Sequence, residues 1–296
     1  MTAKILDGKA IAQEMRMELT GEIAELKSRG IVPGLGVLLV GDNPASRSSV
    51  TGKEKACGDI GIYSSEILLP ATATRQQILE VVDAFNHDPR IHGILVQLPL
   101  PDQRMEQAVI AAIDPRKDVD GFHPENVGKM MLGFECFLPC TPHGVLQILK
   151  RSGIPINGSH VVIVGRSNIV GRPLANLLSQ KSDLGNATVT ICHTRTKAIA
   201  KFTRQADIVI AAAGHPKTVT GDMIREGAVV IDVGVNRIPD PTKKSGFRLI
   251  GDADYESVSR VASAMTPVPG GVGPLTITML LFNTVKSARQ LGAGPH

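Results

Sequence analysis

Short apolar runs alternate along this chain with stretches whose apolar residues recur every three or four positions. Ile11, Met15, Leu19, Ile23 and Leu26 share one face of a helix predicted over residues 10–26 and ended by Gly30 and Pro33. A strand follows at 35–40, stopped by Gly41-Asp42-Asn43-Pro44, then a helix over 45–61, a strand at 64–69, a helix at 75–85 and a strand at 94–96. Residues 105–113 read as helix. Residues 114–142 read as loop-rich, long for a connection inside a compact domain, and long loops commonly carry function. After a helix at 144–151 the alternation resumes: strand 161–164, helix 174–178, strand 188–192, helix 198–204, strand 208–212, helix 222–226, strand 229–233 and a last amphipathic helix over 275–291. Residues 292–296 read as a disordered tail. This βαβα rhythm predicts a two-domain α/β protein with mainly parallel sheets.

The strongest local signal is Gly165-Arg166-Ser167-Asn168-Ile169-Val170-Gly171. It follows the apolar run Val161-Val162-Ile163-Val164 and opens a helix. Strand, glycine turn and helix N-terminus in that order present backbone N–H groups to a dinucleotide pyrophosphate. The pattern departs from the three-glycine form, since Ser167 replaces the second glycine and the last is displaced to Gly171. A tight turn in any α/β domain is the alternative. The next strand ends in His193-Thr194-Arg195, with no acid to bind a ribose 2′-hydroxyl. Arg195 and Arg166 supply guanidinium groups that match phosphate geometry, which favours NADP over NAD. Solvated loop arginines are the competing explanation.

With 296 residues, length alone suggests two domains. Apolar residues make up 43% and charged residues 20%, ordinary for a globular protein, and aromatics only 3%, so the core is aliphatic. A net charge of +4, without a basic stripe interleaved with aromatics, argues against a nucleic-acid partner. No stretch approaches a membrane span. The N-terminus lacks an apolar signal core. Cys57, Cys136, Cys140 and Cys192 are too scattered for a disulfide scaffold, and no second ligand pair completes a metal site, so we expect no metal and a cytoplasmic protein.

Four further features could carry chemistry. Lys53 lies in the helix after Gly41-Asp42-Asn43-Pro44, where a single lysine is ordinarily just exposed. Gln97 ends an apolar strand, where open α/β sheets place ligands; it is either a cap or a ligand contact. Asp118-Val119-Asp120-Gly121-Phe122 puts two carboxylates in one loop, which a plain turn would also explain. Thr266-Pro267-Val268-Pro269-Gly270-Gly271-Val272-Gly273-Pro274 is rigid and poor in side chains, so a flat ligand would reach its main chain.

Together these segments resemble the bifunctional methylenetetrahydrofolate dehydrogenase/methenyltetrahydrofolate cyclohydrolase family, from Ile5 to about Leu291. Pro44-Ala45-Ser46, Lys53 with Lys55-Ala56-Cys57, Pro139-Cys140-Thr141-Pro142 and the Thr266 loop carry the likeness, along with residues 93–101, 117–124, 165–173 and 229–237. The resemblance implies an N-terminal catalytic domain for a folate substrate over 1–141, with a final helix at 275–296 packing back on it. It implies a Rossmann-like NADP domain over 142–274, a cleft between the two, and a homodimer. It implies oxidation of 5,10-methylenetetrahydrofolate by NADP⁺ and hydrolysis of the methenyl product to 10-formyltetrahydrofolate. By the same resemblance Lys53 is catalytic, Gln97 tunes it and Asp120 binds the pterin. Val96, Leu98, Pro269, Gly270, Gly271 and Gly273 bound the substrate, and Gly165, Arg166, Ser167, Thr194, Arg195 and Val235 contact NADP.

One position departs from the family. Its pattern places a tyrosine four residues before the lysine, where this chain has Ser49. The i, i+4 spacing keeps Ser49 and Lys53 on one helical face, but the stacking ring is gone, so weaker folate binding and one or both activities reduced are expected. The rival readings are a dehydrogenase that lost the hydrolytic step, a non-catalytic folate or dinucleotide binder, and a dehydrogenase for a small hydroxy or amino acid. The last leaves the Thr266 loop unexplained.

Overall fold

The structure is a computed structural model and describes residues 2–292. In chain order its strands are β1 (Lys4–Ile5), β2 (Gly34–Val40), β3 (Tyr63–Leu69), β4 (Gly93–Val96), β5 (His160–Val164), β6 (Thr188–Cys192), β7 (Ile208–Ala211), β8 (Val229–Asp232), β9 (Asn236–Pro239), β10 (Phe247–Ile250) and β11 (Ala264–Met265). Its helices are α1 (Gly8–Ser28), α2 (Pro44–Ile60), α3 (Arg75–His87), α4 (Glu106–Ala111), α5 (Pro124–Leu132), α6 (Cys140–Arg151), α7 (Gly171–Ser179), α8 (Ala200–Thr203), α9 (Tyr255–Ser259) and α10 (Val272–Gly292). Two compact units result. One holds Gln13–Cys140 and the chain from Ile277 onward; the other holds Thr141–Thr276 and the chain up to Ala12.

The first unit is built on a parallel sheet ordered β3-β2-β4. β2 and β4 are buried on both faces, as their unbroken apolar runs require. Leu38, Val40, Ile94 and Val96 pack with Ile78, Val82 and Phe85 from α3. The Asn43 side chain accepts N–H bonds from Ala45 and Ser46, Pro44 occupies the first turn, and Gly61 closes α2 in the left-handed conformation. Asp118 continues the sheet beside β4, bridging Ile94 in parallel register, while the Ile94 N–H reaches the Lys117 carbonyl. The late part of α10 belongs to this unit. There Asn283 Nδ2 donates to the carbonyls of Val119 at 2.8 Å and Leu138 at 3.0 Å.

The second unit is a six-stranded sheet ordered β1-β11-β8-β7-β5-β6, parallel throughout. Val162, Val164, Val209, Ala211, Val230 and Met265 supply its core. β5 has β6 on one side and β7 on the other, so the chain reverses its direction of travel across the sheet there. This is the switch point at which doubly wound sheets hold ligands.

Three expectations need correction. The 114–142 stretch contains α5: Pro124 opens it, the His123 ring accepts the Glu125 N–H, and Gly133 ends it in the left-handed conformation. Residues 222–226 form no α-helix; Gly221–Met223 is a single 3₁₀ turn. The β9–β10 hairpin and α9 fill a region left without elements. By contacts, the residues up to Ala12 group with the six-stranded unit through the pairing of β1 with β11. Gly292 lies in α10, and the rest of the expected tail, 293–296, lies outside the described residues.

The Asp118 side chain holds the turn that follows it. Asp118 is 1% exposed and accepts from the N–H groups of Phe122 at 3.2 Å and His123 at 2.9 Å and from Asn126 Nδ2 at 2.9 Å. Gly121 has φ 75°, and a Cβ there would lie 2.6 Å from the Pro139 nitrogen. Replacing Asp118 with Ala strands three donors, and each buried unpaired donor costs about 1–3 kcal/mol. The expected result in urea unfolding is a loss of about 3 kcal/mol or more.

Candidate active site

Lys53 is presented by α2, which leaves the carboxyl end of β2. Gln97 follows β4 directly and Asp120 follows the strand-like Asp118, so all three come to the same edge of the parallel sheet. Lys53 Nζ donates to Gln97 Oε1 at 2.8 Å. The other end of that amide is fixed too, because Gln97 Nε2 donates to the Leu98 carbonyl at 2.7 Å. A side-chain amide held at both ends presents one defined acceptor to the lysine. Val96 is buried and Leu98 half-buried on either side of it.

Burial pushes the Lys53 ammonium below the ordinary lysine range, while Asp120 and then Cys140 oppose that shift. Burial likewise pushes Asp120 up to about 6, against the pull of Lys53. Asp120 keeps some surface exposed even though protein surrounds its carboxyl group. Cys140 is buried, and its thiol donates to the Val119 carbonyl at 3.3 Å. Burial, reinforced by Asp120, holds it well above the usual thiol range, so it stays protonated. The sequence gives this cysteine no role of its own; only the fold brings it against Asp120. Ser49 lies half-buried one helical turn before Lys53.

The two carboxylates of the loop have separate tasks. Asp118 is consumed by the turn, whereas Asp120 faces the lysine. A second lysine sharpens the contrast. Lys117 Nζ donates to the carbonyls of Phe85, Asn86 and Asp88 at 3.1, 2.8 and 3.1 Å. It caps the end of α3 and has no hydrogen left for chemistry.

In the six-stranded unit, Gly165 ends β5 with φ 138°, and a Cβ there would come within 2.0 Å of the Ala212 carbonyl oxygen. Only glycine lets the turn lie this close to the end of β7. Ser167 Oγ accepts the Val170 N–H at 3.1 Å, and no side chain caps the N-terminus of α7. Arg166, Ser167, Thr194 and Arg195 are exposed around this turn. A glycine cradle, an uncapped helix start and two guanidinium groups fit a dinucleotide bearing an extra phosphate. Val235 is 62% exposed just after β8. In the loop after β11 Pro269 is exposed and Gly270 and Gly271 are buried, and Gly273 is exposed in the first turn of α10. Among the described residues, no group of three or more His, Cys, Asp or Glu side chains is placed to hold a metal ion. No described helix is long and apolar enough to cross a membrane.

Two family models match the chain. The tetrahydrofolate dehydrogenase/cyclohydrolase catalytic domain covers residues 6–120, and the NAD(P)-binding domain of the same family covers 139–291. The bifunctional protein FolD of Chlorobium phaeovibrioides is 57% identical over 96% of this chain and 97% of its own length. The FolD methylenetetrahydrofolate dehydrogenase/cyclohydrolase structure from Campylobacter jejuni is 49% identical, with a TM-score of 0.91 over 98% of this chain and 99% of that one. The FolD structure from Trypanosoma brucei, complexed with NADP and an inhibitor, is 39% identical, with a TM-score of 0.94 over 99% of both chains. Two domain models in tandem and matches over nearly the full length lead to one conclusion: the chain belongs to the tetrahydrofolate dehydrogenase/cyclohydrolase family.

Proposed function

We propose that this protein is a bifunctional, NADP-dependent methylenetetrahydrofolate dehydrogenase and methenyltetrahydrofolate cyclohydrolase. The Lys53–Gln97 hydrogen bond beside Asp120, in a chain of this family, is the observation that carries the reading. NADP⁺ supplies the hydride acceptor for the first reaction. Gly165, Arg166, Ser167, Thr194, Arg195 and Val235 hold it, the arginines answering its phosphates. Asp120 accepts hydrogen bonds from the pterin, and Val96, Leu98, Pro269, Gly270, Gly271 and Gly273 bound the folate.

In the second reaction water adds to the methenyl carbon. The neutral Lys53 amine takes a proton from that water as the C–O bond forms. The ammonium then returns a proton to N5 as the ring C–N bond breaks, and the remaining hydroxyl proton leaves to solvent. Methenyl cation and water thus give 10-formyltetrahydrofolate and one proton. A lysine does both jobs near neutral pH only if its pKa is lowered, which burial supplies here. Gln97 aims Nζ and, by accepting only one of its hydrogens, leaves the others for chemistry. By the family resemblance the protein is also a cytoplasmic homodimer serving one-carbon supply to purine synthesis.

Two assays test this reading: NADPH formation from methylenetetrahydrofolate, and hydrolysis of preformed methenyltetrahydrofolate. Both should exceed the uncatalysed rates, and failure of both would leave a binding protein. Lys53→Met should slow the hydrolysis by about 10²- to 10⁴-fold, the range of positioned acid–base groups. Ser49→Tyr should restore the ring contact and tighten folate binding by about 2- to 12-fold, the equivalent of 0.5–1.5 kcal/mol. With Asp120 pushed up to about 6, its carboxylate loses an acceptor to protonation as the pH falls through that value. The KM for folate measured from pH 8 down to pH 5 should therefore rise below about 6.

A further inference from the structure

Beneath the exposed turn after β7 lies a pair of buried carboxylates that neither reaction uses. Asp252 is 0% exposed and Asp232 4% exposed. Asp252 Oδ2 accepts the N–H groups of Ala213 at 2.7 Å and Gly214 at 2.8 Å. Its Oδ1 accepts Asn236 Nδ2 at 2.9 Å. Asp252 is held in turn by Asp232, whose Oδ1 accepts the Asp252 N–H at 2.9 Å and the Gly234 N–H at 3.0 Å, and whose Oδ2 accepts the Ala253 N–H at 2.9 Å. The Asp232 N–H is anchored to Thr266 Oγ1 at 2.8 Å.

These bonds converge on two segments at the carboxyl edge of the sheet. Ala212 faces the Gly165 cradle across the switch point, and Ala213 and Gly214 continue that turn into solvent. Gly234 and Asn236 flank the exposed Val235. Residues 212–214 and 233–235 lie outside regular structure, the latter between β8 and the start of β9, and the carboxylates tie them down. Because the Ala213 and Gly214 N–H groups are already taken, the turn offers no donors to a phosphate. It fits the uncharged sugar and base parts of a dinucleotide, leaving the phosphates to the glycine turn and the arginines. Burial pushes Asp232 up to about 6 despite three backbone donors, and the neighbouring Asp252 adds to the rise. Carboxyl groups perturbed in this way cluster at functional sites.

We propose that Asp252, held by Asp232, is a positioning residue for the dinucleotide: it fixes the Ala213–Gly214 turn and the Val235 segment in their binding shape without itself touching the cofactor. The inference rests on the NADP assignment above.

The test compares the unaltered full-length protein with Asp252→Asn and Asn236→Ala. NADP⁺ binding is measured by calorimetry, hydrolysis of preformed methenyltetrahydrofolate without NADP, and unfolding by heat. Asp252→Asn replaces one acceptor oxygen with a donor. It should weaken NADP⁺ binding about tenfold, the equivalent of one lost hydrogen bond to a charged group, while hydrolysis stays within about twofold, the expected scatter for a site with no shared partner. Asn236→Ala removes one link and should weaken NADP⁺ binding by a smaller factor. NADP⁺ affinity unchanged in both variants overturns the proposal. So does a parallel loss of both activities with unfolding at lower temperature, which would make the carboxylates purely structural. If Asp252→Asn fails to fold, Asn236→Ala decides alone, and unchanged affinity there overturns it. Absence of NADP⁺ binding by the unaltered protein instead overturns the cofactor assignment, and this inference with it.

Discussion

The hydrogen bond from Lys53 Nζ to Gln97 Oε1 is the constraint on which the chemistry proposed for the first unit depends. A free lysine near neutral pH is a solvated cation with no amine to lend. Burial makes the charged form more costly than in a free lysine, and Asp120 returns part of that cost. That balance brings together three groups from three separate segments. Parallel pairing supplies them: α2, Gln97 and Asp120 all leave the same edge of one sheet, and the Asp118 turn fixes the last of them.

The six-stranded unit uses the same edge for a different purpose. Around its glycine turn the backbone shapes the surface, and Arg166 and Arg195 supply the exposed charge. Gly165 lets β5 turn against the end of β7, and α7 begins without a side-chain cap. Such a surface holds an elongated anion well but has little stiffness of its own. Asp232 and Asp252 provide stiffness from below, in the way Asp118 does for the catalytic loop.

Much of this was legible in the chain. Unbroken apolar runs such as Val161-Val162-Ile163-Val164 gave strands buried on both faces, and Asn43-Pro44 and Gly61 marked the bounds of α2. The glycine turn pointed to the dinucleotide-type cradle, and Gln97 to the carboxyl edge of a strand. The rest depended on long-range contacts. α5 was hidden because Asn126 faces inward to serve Asp118, and Gly128 weakens the helical pattern. β1 and β11 are two residues each, too short to signal, and β1 exists only through pairing with β11 across the length of the chain. Spacing alone did not separate Asp118 from Asp120, and only the resemblance singled out Asp120; the bonds of Asp118 to Phe122, His123 and Asn126 show it spent on the turn. Cys140 and Asp252 gain their surroundings only when distant segments fold against them.

Titration of the Lys53 side chain tests the central claim most directly. Lysines labelled with ¹³C at the ε-carbon would be followed by NMR, with the Lys53 signal assigned by its loss in Lys53→Met. The account predicts a midpoint below the ordinary lysine value of about 10.4, rising when Gln97 is replaced by Glu and a second negative charge meets the amine. A Lys53 that titrates at or above the ordinary value would contradict it, for such a lysine would remain an ammonium ion at neutral pH with no amine to activate water.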